Sequence, residues 1–209
     1  DSRVSRGLGD VYKRQALTET DLKFGFREVN EIYAIIDAVG HSDFSRLKGS
    51  LSRETSAEGL KEAIQKILLT DSDTIRSIAE TVLSSDMSAT VINEKETKYF
   101  TSLVEIYPDD PGLLLFLLMN FITLEPGDFL YVSPGVTHAY LRGNVVEITS
   151  NSDNVIRCGL TPKHINVDEF FSIASFVSEQ PQIQTPVESV HTYESPTPFT
   201  LTRLNLNEE

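Results

Sequence analysis

The chain has 209 residues, 40% of them hydrophobic and 9% aromatic, which is enough to bury the core of one ordinary domain or two small ones. Eighteen Lys and Arg stand against 31 Asp and Glu, a formal net charge of −13. That balance argues against nucleic acid or an anionic membrane surface as a partner, but a small anionic substrate needs only a few local cations and stays open.

Residues 1–15 (DSRVSRGLGDVYKRQ) are polar, carry two glycines and show no period. They look like the adaptor-derived tails sometimes found on assembled sequences, so they are expected to be unstructured and non-native and are left out of the fold argument. Asp1 in place of Met is consistent with a chain that begins inside a larger reading frame. This stretch has no signal-peptide apolar run and no lipidation motif, and cytoplasm is the default expectation.

A helical subdomain is expected over residues 22–106. Val29, Ile32, Tyr33 and Ile36 share a helix face, with Gly40 as its stop. Thr55 and Glu58 fit a capping box ahead of Leu60, Ile64, Ile67 and Leu68. Ile75, Ile78, Ala79 and Val82 repeat the pattern, and Lys95–Ile106 predicts a further helix with Phe100, Leu103 and Val104 inward. These stripes read as core rather than binding surface.

The pattern changes over residues 107–209. Pro108 to Gly112 form a turn cluster, and the apolar run Leu113 to Leu118, extended to Leu124, reads as a buried strand or helix. It is shorter than the roughly 20 residues a membrane-spanning helix needs, and Asn120 interrupts it. Pro126-Gly127-Asp128 opens a strand at 129–132, Pro134-Gly135 a second at 137–141, and Arg142-Gly143-Asn144 turns into a third at 145–149. Asp168 is a candidate cap for a short helix carrying Phe170, Phe171 and Ala174. Pro181–Pro198 reads as extended surface chain, and 199–206 as another strand. The single cysteine, Cys158, cannot form an internal disulfide. The fold class is α+β: a helical subdomain, then short strands whose close spacing indicates an antiparallel barrel or jelly roll.

The chemistry gathers around PGD-x5-PG-x2-H, which ends on His138 and resembles the second motif of cupin jelly rolls. Such a turn can aim an imidazole inward as a metal ligand, although a lone histidine at a strand start is more often structural. The next segment, HAYLRGNVVEITSNSDNVIRCGLTPKHINVDEF, resembles the signature region of type I phosphomannose isomerases. His138-Ala139-Tyr140-Leu141, Gly143, Glu147, Ser152-Asp153-Asn154-Val155, Arg157, Gly159-Leu160-Thr161-Pro162-Lys163 and Asp168 match in order. Gly25-Phe26-Arg27 and the stretch from Tyr107-Pro108 to Asn120 also look like family landmarks, and the likeness runs over about residues 22–195.

The resemblance implies a cupin-like jelly-roll barrel, incomplete here, with a helical insert: the C-terminal portion of a zinc-dependent enzyme that interconverts mannose 6-phosphate and fructose 6-phosphate through a cis-enediol, within GDP-mannose metabolism. It implies a monomer, with a sugar phosphate as its small-molecule partner. Of the family's zinc ligands only the histidine of HAY maps here, onto His138. The Q-x-H motif is not found in the chain, so the other ligands are expected upstream and the fragment is expected to be inactive alone. Arg157 matches the catalytic arginine, a planar cation suited to a developing enediolate. Glu147 matches an active-site acid and is the candidate for proton transfer. Lys163 matches a pocket lysine and is a candidate phosphate contact, and Tyr140 is a candidate pocket wall. All are expected to open onto one cavity with His138. Asp153 and Asn154 read as turn makers. His41, His164 and His191 match no motif, and Cys158 stands where the family usually has alanine. The alternative reading is a non-catalytic cupin-type sugar-phosphate binding module. A metal-dependent dioxygenase is disfavoured because its histidine-rich first motif is absent.

Overall fold

A computed structural model of the chain describes residues 12–52, 56–87, 90–149, 155–196 and 200–206. The chain opens with β1 (Tyr12–Ala16) and β2 (Thr20–Phe26). Helices follow: α1 (Val29–Val39), α2 (Ser42–Ser45), α3 (Leu47–Leu51), α4 (Ser56–Leu68), α5 (Ser72–Ser84), α6 (Glu94–Ile106) and α7 (Gly112–Leu118). Then come β3 (Met119–Leu124), β4 (Phe129–Val132), β5 (His138–Arg142), β6 (Val145–Thr149), α8 (Val167–Ile173), β7 (Ile183–Gln184), β8 (Val190–Tyr193) and β9 (Leu201–Leu204). No helix among the described residues is long and apolar enough to cross a membrane.

Mixed helix and antiparallel sheet are present as expected, but the contacts divide the chain differently from the ranges 22–106 and 107–209. One compact unit holds the described residues within 1–24, 121–155 and 181–209; the other holds those within 25–120 and 156–180. The expectation that residues 1–15 are unstructured is corrected for residues 12–15. Residues 12–15 belong to β1, which pairs antiparallel with β4 on one side and β6 on the other. Lys13 and Arg14 hide this strand from a hydrophobicity reading, because charged residues interrupt the alternation that marks a half-buried strand.

The first unit is built on sheets of order β6-β1-β4-β7 and β3-β2-β5, with a β8-β9 hairpin. Ala16, Leu130 and Val132 from the first sheet meet Leu22, Phe24, Ile122 and Leu124 from the second, with Val136 closing the cluster. Each of the Val, Leu, Ile and Phe side chains contributes about 1.5–3 kcal/mol when fully buried. Every residue of β2 is buried. Its polar members have company there: Thr123 Oγ1 donates to Asp21 at 2.7 Å, and Lys23 Nζ lies 5.9 Å from the Phe121 ring centroid. Tyr193 ties the hairpin down, stacking on Phe129 at 4.7 Å and donating its hydroxyl hydrogen to the Gly127 carbonyl.

In the helical unit, α1 ends on Gly40 in the left-handed region, φ 68°, as its position predicts. The buried face of α1 is Ile32, Ile35, Ile36 and Val39, one step along from the expected stripe. Ile75, Ile78, Ala79 and Val82 line the buried face of α5. Asn93 caps α6 by accepting from the Glu96 amide, so that helix starts at Glu94; Phe100 is buried while Leu103 and Val104 are half-buried. Asn166, not Asp168, caps α8. Thr55, Ser152, Asp153, Asn154 and Phe199 lie outside the described residues. The long apolar run resolves into both of its open alternatives, a wholly buried α7 followed by β3. Asn120, the residue that interrupts it, donates to the carbonyls of Phe26 and Glu179 at 3.1 and 2.9 Å. A polar side chain in an apolar run is affordable where it satisfies two buried backbone acceptors.

Candidate functional site

The β5-β6 hairpin carries three of the residues singled out by the sequence: His138, Tyr140 and Glu147. Its turn is Gly143-Asn144, and Gly143 sits at φ 111°. A side chain there would strike Thr20 Oγ1 at 2.3 Å and the Glu19 carbonyl at 2.7 Å, so the turn requires glycine. Upstream, Gly135 at φ 82° reverses the chain into β5.

His138 begins β5, as expected, and pairs with Phe24 of β2. Its Nδ1 is 2.9 Å from the Val136 carbonyl. A carbonyl only accepts, so Nδ1 carries the hydrogen and Nε2 the lone pair. Burial, then the nearby Arg14 cation, hold its pKa below the ordinary 6.5, against smaller opposing effects of the Val136 bond and Glu147. A neutral imidazole is the form that can bind a metal or take a proton.

Tyr140 stands edge-on to His138 at 6.3 Å between ring centroids. Its hydroxyl is buried beside the Arg14 side chain, and Thr137 Oγ1 is buried without a hydrogen-bond partner among the described residues. Burial pushes the Tyr140 phenol up, with Arg14 opposing. Glu147 lies opposite Arg14 in the β1-β6 ladder and forms an ion pair with it through both Nε and Nη2. The same guanidinium lies 4.3 Å from the Tyr140 ring centroid. Sequence reasoning missed Arg14 and Thr137. Arg14 was set aside with residues 1–15, and only cross-strand pairing could have revealed it.

Arg157 and Lys163 belong to the other unit, where Arg157 is half-buried and Lys163 exposed. Their segment is laced to the start of α7 by one carboxylate. Asp110 Oδ1 accepts from the Gly112 amide at 2.7 Å and Oδ2 from the Leu160 amide at 3.0 Å. A side chain on Gly159 would meet Gly112 Cα at 2.6 Å, which explains the glycine of GLTPK as a backbone-on-backbone contact. Leu160 holds φ 52°, a left-handed conformation costly for leucine. Cys158 lies between, its thiol pushed up to about 12 by burial and then by the Asp110 charge.

A catalytic zinc takes three or more protein ligands. Among the described residues no group of three His, Cys, Asp or Glu could hold a metal. Of the two donors near one another, Glu147 is already engaged by a cation. These residues do not fit a zinc site.

No protein-family model matches the chain. It is 30% identical over 172 residues to a probable mannose-6-phosphate isomerase of Caenorhabditis elegans, a match covering 77% of this chain and 40% of that protein. It is 32% identical over 163 residues to the mannose-6-phosphate isomerase of Escherichia coli strain K12, again 77% and 40%. A zinc-bound crystal structure of mannose 6-phosphate isomerase superposes with a TM-score of 0.75 at 25% identity, covering 90% of this chain and 48% of that one. A phosphomannose isomerase variant of Salmonella typhimurium superposes with a TM-score of 0.76 at 26% identity. The chain thus spans about 40% of the length of the curated relatives it matches, in their C-terminal portion.

Proposed function

We propose that this chain is part of a mannose-6-phosphate isomerase, and that the complete protein interconverts mannose 6-phosphate and fructose 6-phosphate in the cytoplasm, supplying GDP-mannose metabolism as a monomer. The observation that carries this reading is the structural match to a mannose 6-phosphate isomerase over 90% of the chain. An incomplete cupin barrel is part of the same proposal.

The reaction moves a proton between C2 and C1 of the sugar through a cis-enediol. The carbon-bound proton goes to a base, and the electron pair left behind is delocalised toward the neighbouring oxygen. Glu147 is the proposed base, the acid that the motif places on the β5-β6 hairpin with His138 and Tyr140. Arg157 is proposed to hold the developing enediolate with its planar fork and Lys163 to hold the phosphate. Tyr140 is proposed to form the wall of the pocket, edge-on to His138. Zinc is named for a structural neighbour; as the residues here do not fit it, no step is routed through it, and the ligands beyond His138 are proposed to lie outside this chain.

One observation favours a second reading for the chain as it stands, a sugar-phosphate binding module without turnover: its carboxylate is neutralised by Arg14 and its metal donors are too few. Assaying the full chain for mannose 6-phosphate turnover, beside calorimetric binding of mannose 6-phosphate, separates the two. Turnover lost on Glu147→Gln supports the isomerase in this chain; binding without turnover supports the module. Neither would remove both readings from the isolated chain.

A further inference from the structure

We propose that Asp110 is a positioning residue: it fixes the 157–163 loop, and with it the spacing at which Arg157 and Lys163 meet a sugar phosphate. This rests on the sugar-phosphate reading, which gives those two cations their roles.

The loop does not hold its own shape. No helix or strand covers residues 157–163, so no ladder of backbone hydrogen bonds fixes it. Leu160, midway between the two cations, has φ 52°, a left-handed conformation that a leucine keeps only where its surroundings impose it. The restraint comes from Asp110. Its Oδ2 accepts from the Leu160 amide at 3.0 Å, and its Oδ1 accepts from the Gly112 amide at 2.7 Å. Gly112 opens α7, whose seven residues are all buried, so the loop is tied to a fixed part of its own unit. Gly159 reinforces the tie, since a Cβ there would lie 2.6 Å from Gly112 Cα. Thr161 Oγ1 then accepts from the Lys163 amide at 3.2 Å, which carries the order from the strained turn to the lysine.

Proximity and positioning make opposite predictions for an anion. The Asp110 charge is felt at Cys158, the neighbour of Arg157, and it repels a phosphate. Were that its main effect, neutralising it would tighten binding. Asparagine, however, offers one acceptor oxygen to two amide donors, and its amide nitrogen cannot accept the other bond. If Asp110 acts through the loop, Asp110→Asn frees Leu160 to relax and weakens binding, even though a repelling charge has gone.

The test uses the full chain with Asp110→Asn and, as a second variant, Asp110→Ser, titrated with mannose 6-phosphate and with mannose in a calorimeter. The parent is expected to prefer the phosphate ester, and both variants to lose affinity for it by about tenfold or more. On a Lys163→Met background the Asp110→Asn loss is expected to shrink, because the phosphate contact it positions is already gone. Unchanged or tighter binding by folded Asp110→Asn overturns the positioning role, while the parent's preference leaves the sugar-phosphate reading standing. A loss that stays fully additive with Lys163→Met also overturns it, since Asp110 would then act on general stability. A parent with no preference for the phosphate ester removes the cation roles themselves, and this proposal with them. If circular dichroism shows both variants unfolded, Asp110 serves the fold alone and the proposal fails.

Discussion

Arg27 and Glu96, 69 residues apart in sequence, form an ion pair withdrawn from solvent: Nη2 donates to both carboxylate oxygens at 2.7 and 2.8 Å. Nε of Arg27 donates to the Leu117 carbonyl at 3.2 Å, so one guanidinium joins the end of β2 to α6 and α7. The side chains are 5% and 0% exposed.

Removing one partner leaves a buried charge alone, which costs about 3–5 kcal/mol. Glu96→Ala is therefore expected to lower unfolding stability by that amount in a denaturant titration. Replacing both with apolar residues of similar volume, Arg27→Met with Glu96→Leu, is expected to cost much less. A loss under about 1 kcal/mol for Glu96→Ala contradicts the buried-charge argument.

Gly143→Ala tests the hairpin that carries His138 and Glu147. Alanine at φ 111° is strained and its methyl group collides with Thr20 and Glu19. Backbone strain alone amounts to about 1–3 kcal/mol, and the clash adds to it. Asn144→Ala, beside it, is expected to cost less. Equal stability for Gly143→Ala and the parent, by thermal melting, would show that the turn adapts freely.

Cys158 should resist thiol reagents at pH 8 in the folded chain and react fully in denaturant, because a thiol raised to about 12 is almost wholly protonated there. Its folded value lies above the unfolded one. The associated stability is therefore fully present below the unfolded thiol pKa of about 8.5 and is lost as pH rises toward 12. Asp110→Asn removes one cause of the shift and should speed labelling; labelling of the parent at the rate of a free thiol would refute the buried environment.

The His138 shift has the opposite sign. Its folded pKa lies below the ordinary 6.5, so the chain should be most stable above that value and lose stability as pH falls through the folded pKa. Proton NMR of the imidazole should show titration at lower pH than for the same chain unfolded. A midpoint at or above the unfolded one would mean that burial and Arg14 do not govern this ring.

In the isomerase proposed above, Arg157→Lys is expected to reduce kcat far more than it reduces metal content or substrate affinity. Lysine keeps the charge but not the planar fork that can grip two oxygens together. Near-normal kcat would remove Arg157 from the proposed catalytic role.

Local order was legible because neighbours in sequence encode it. Apolar spacing along α5, Gly40 after α1, and the glycine and proline turns around β4, β5 and β6 place those elements without reference to the rest of the molecule. The motif from His138 to Lys163 runs through the β5-β6 hairpin and then through the segment whose Leu160 amide Asp110 holds. Tertiary structure decided what sequence neighbours do not share. A strand with two cations, Lys13 and Arg14, has no apolar alternation to announce it; only hydrogen bonding to β4 and β6 makes it a strand, and only that pairing sets Arg14 opposite Glu147. The same holds for Arg27 and Glu96. Charge alone marks neither for burial; each is buried because the other, 69 residues away, arrives to neutralise it.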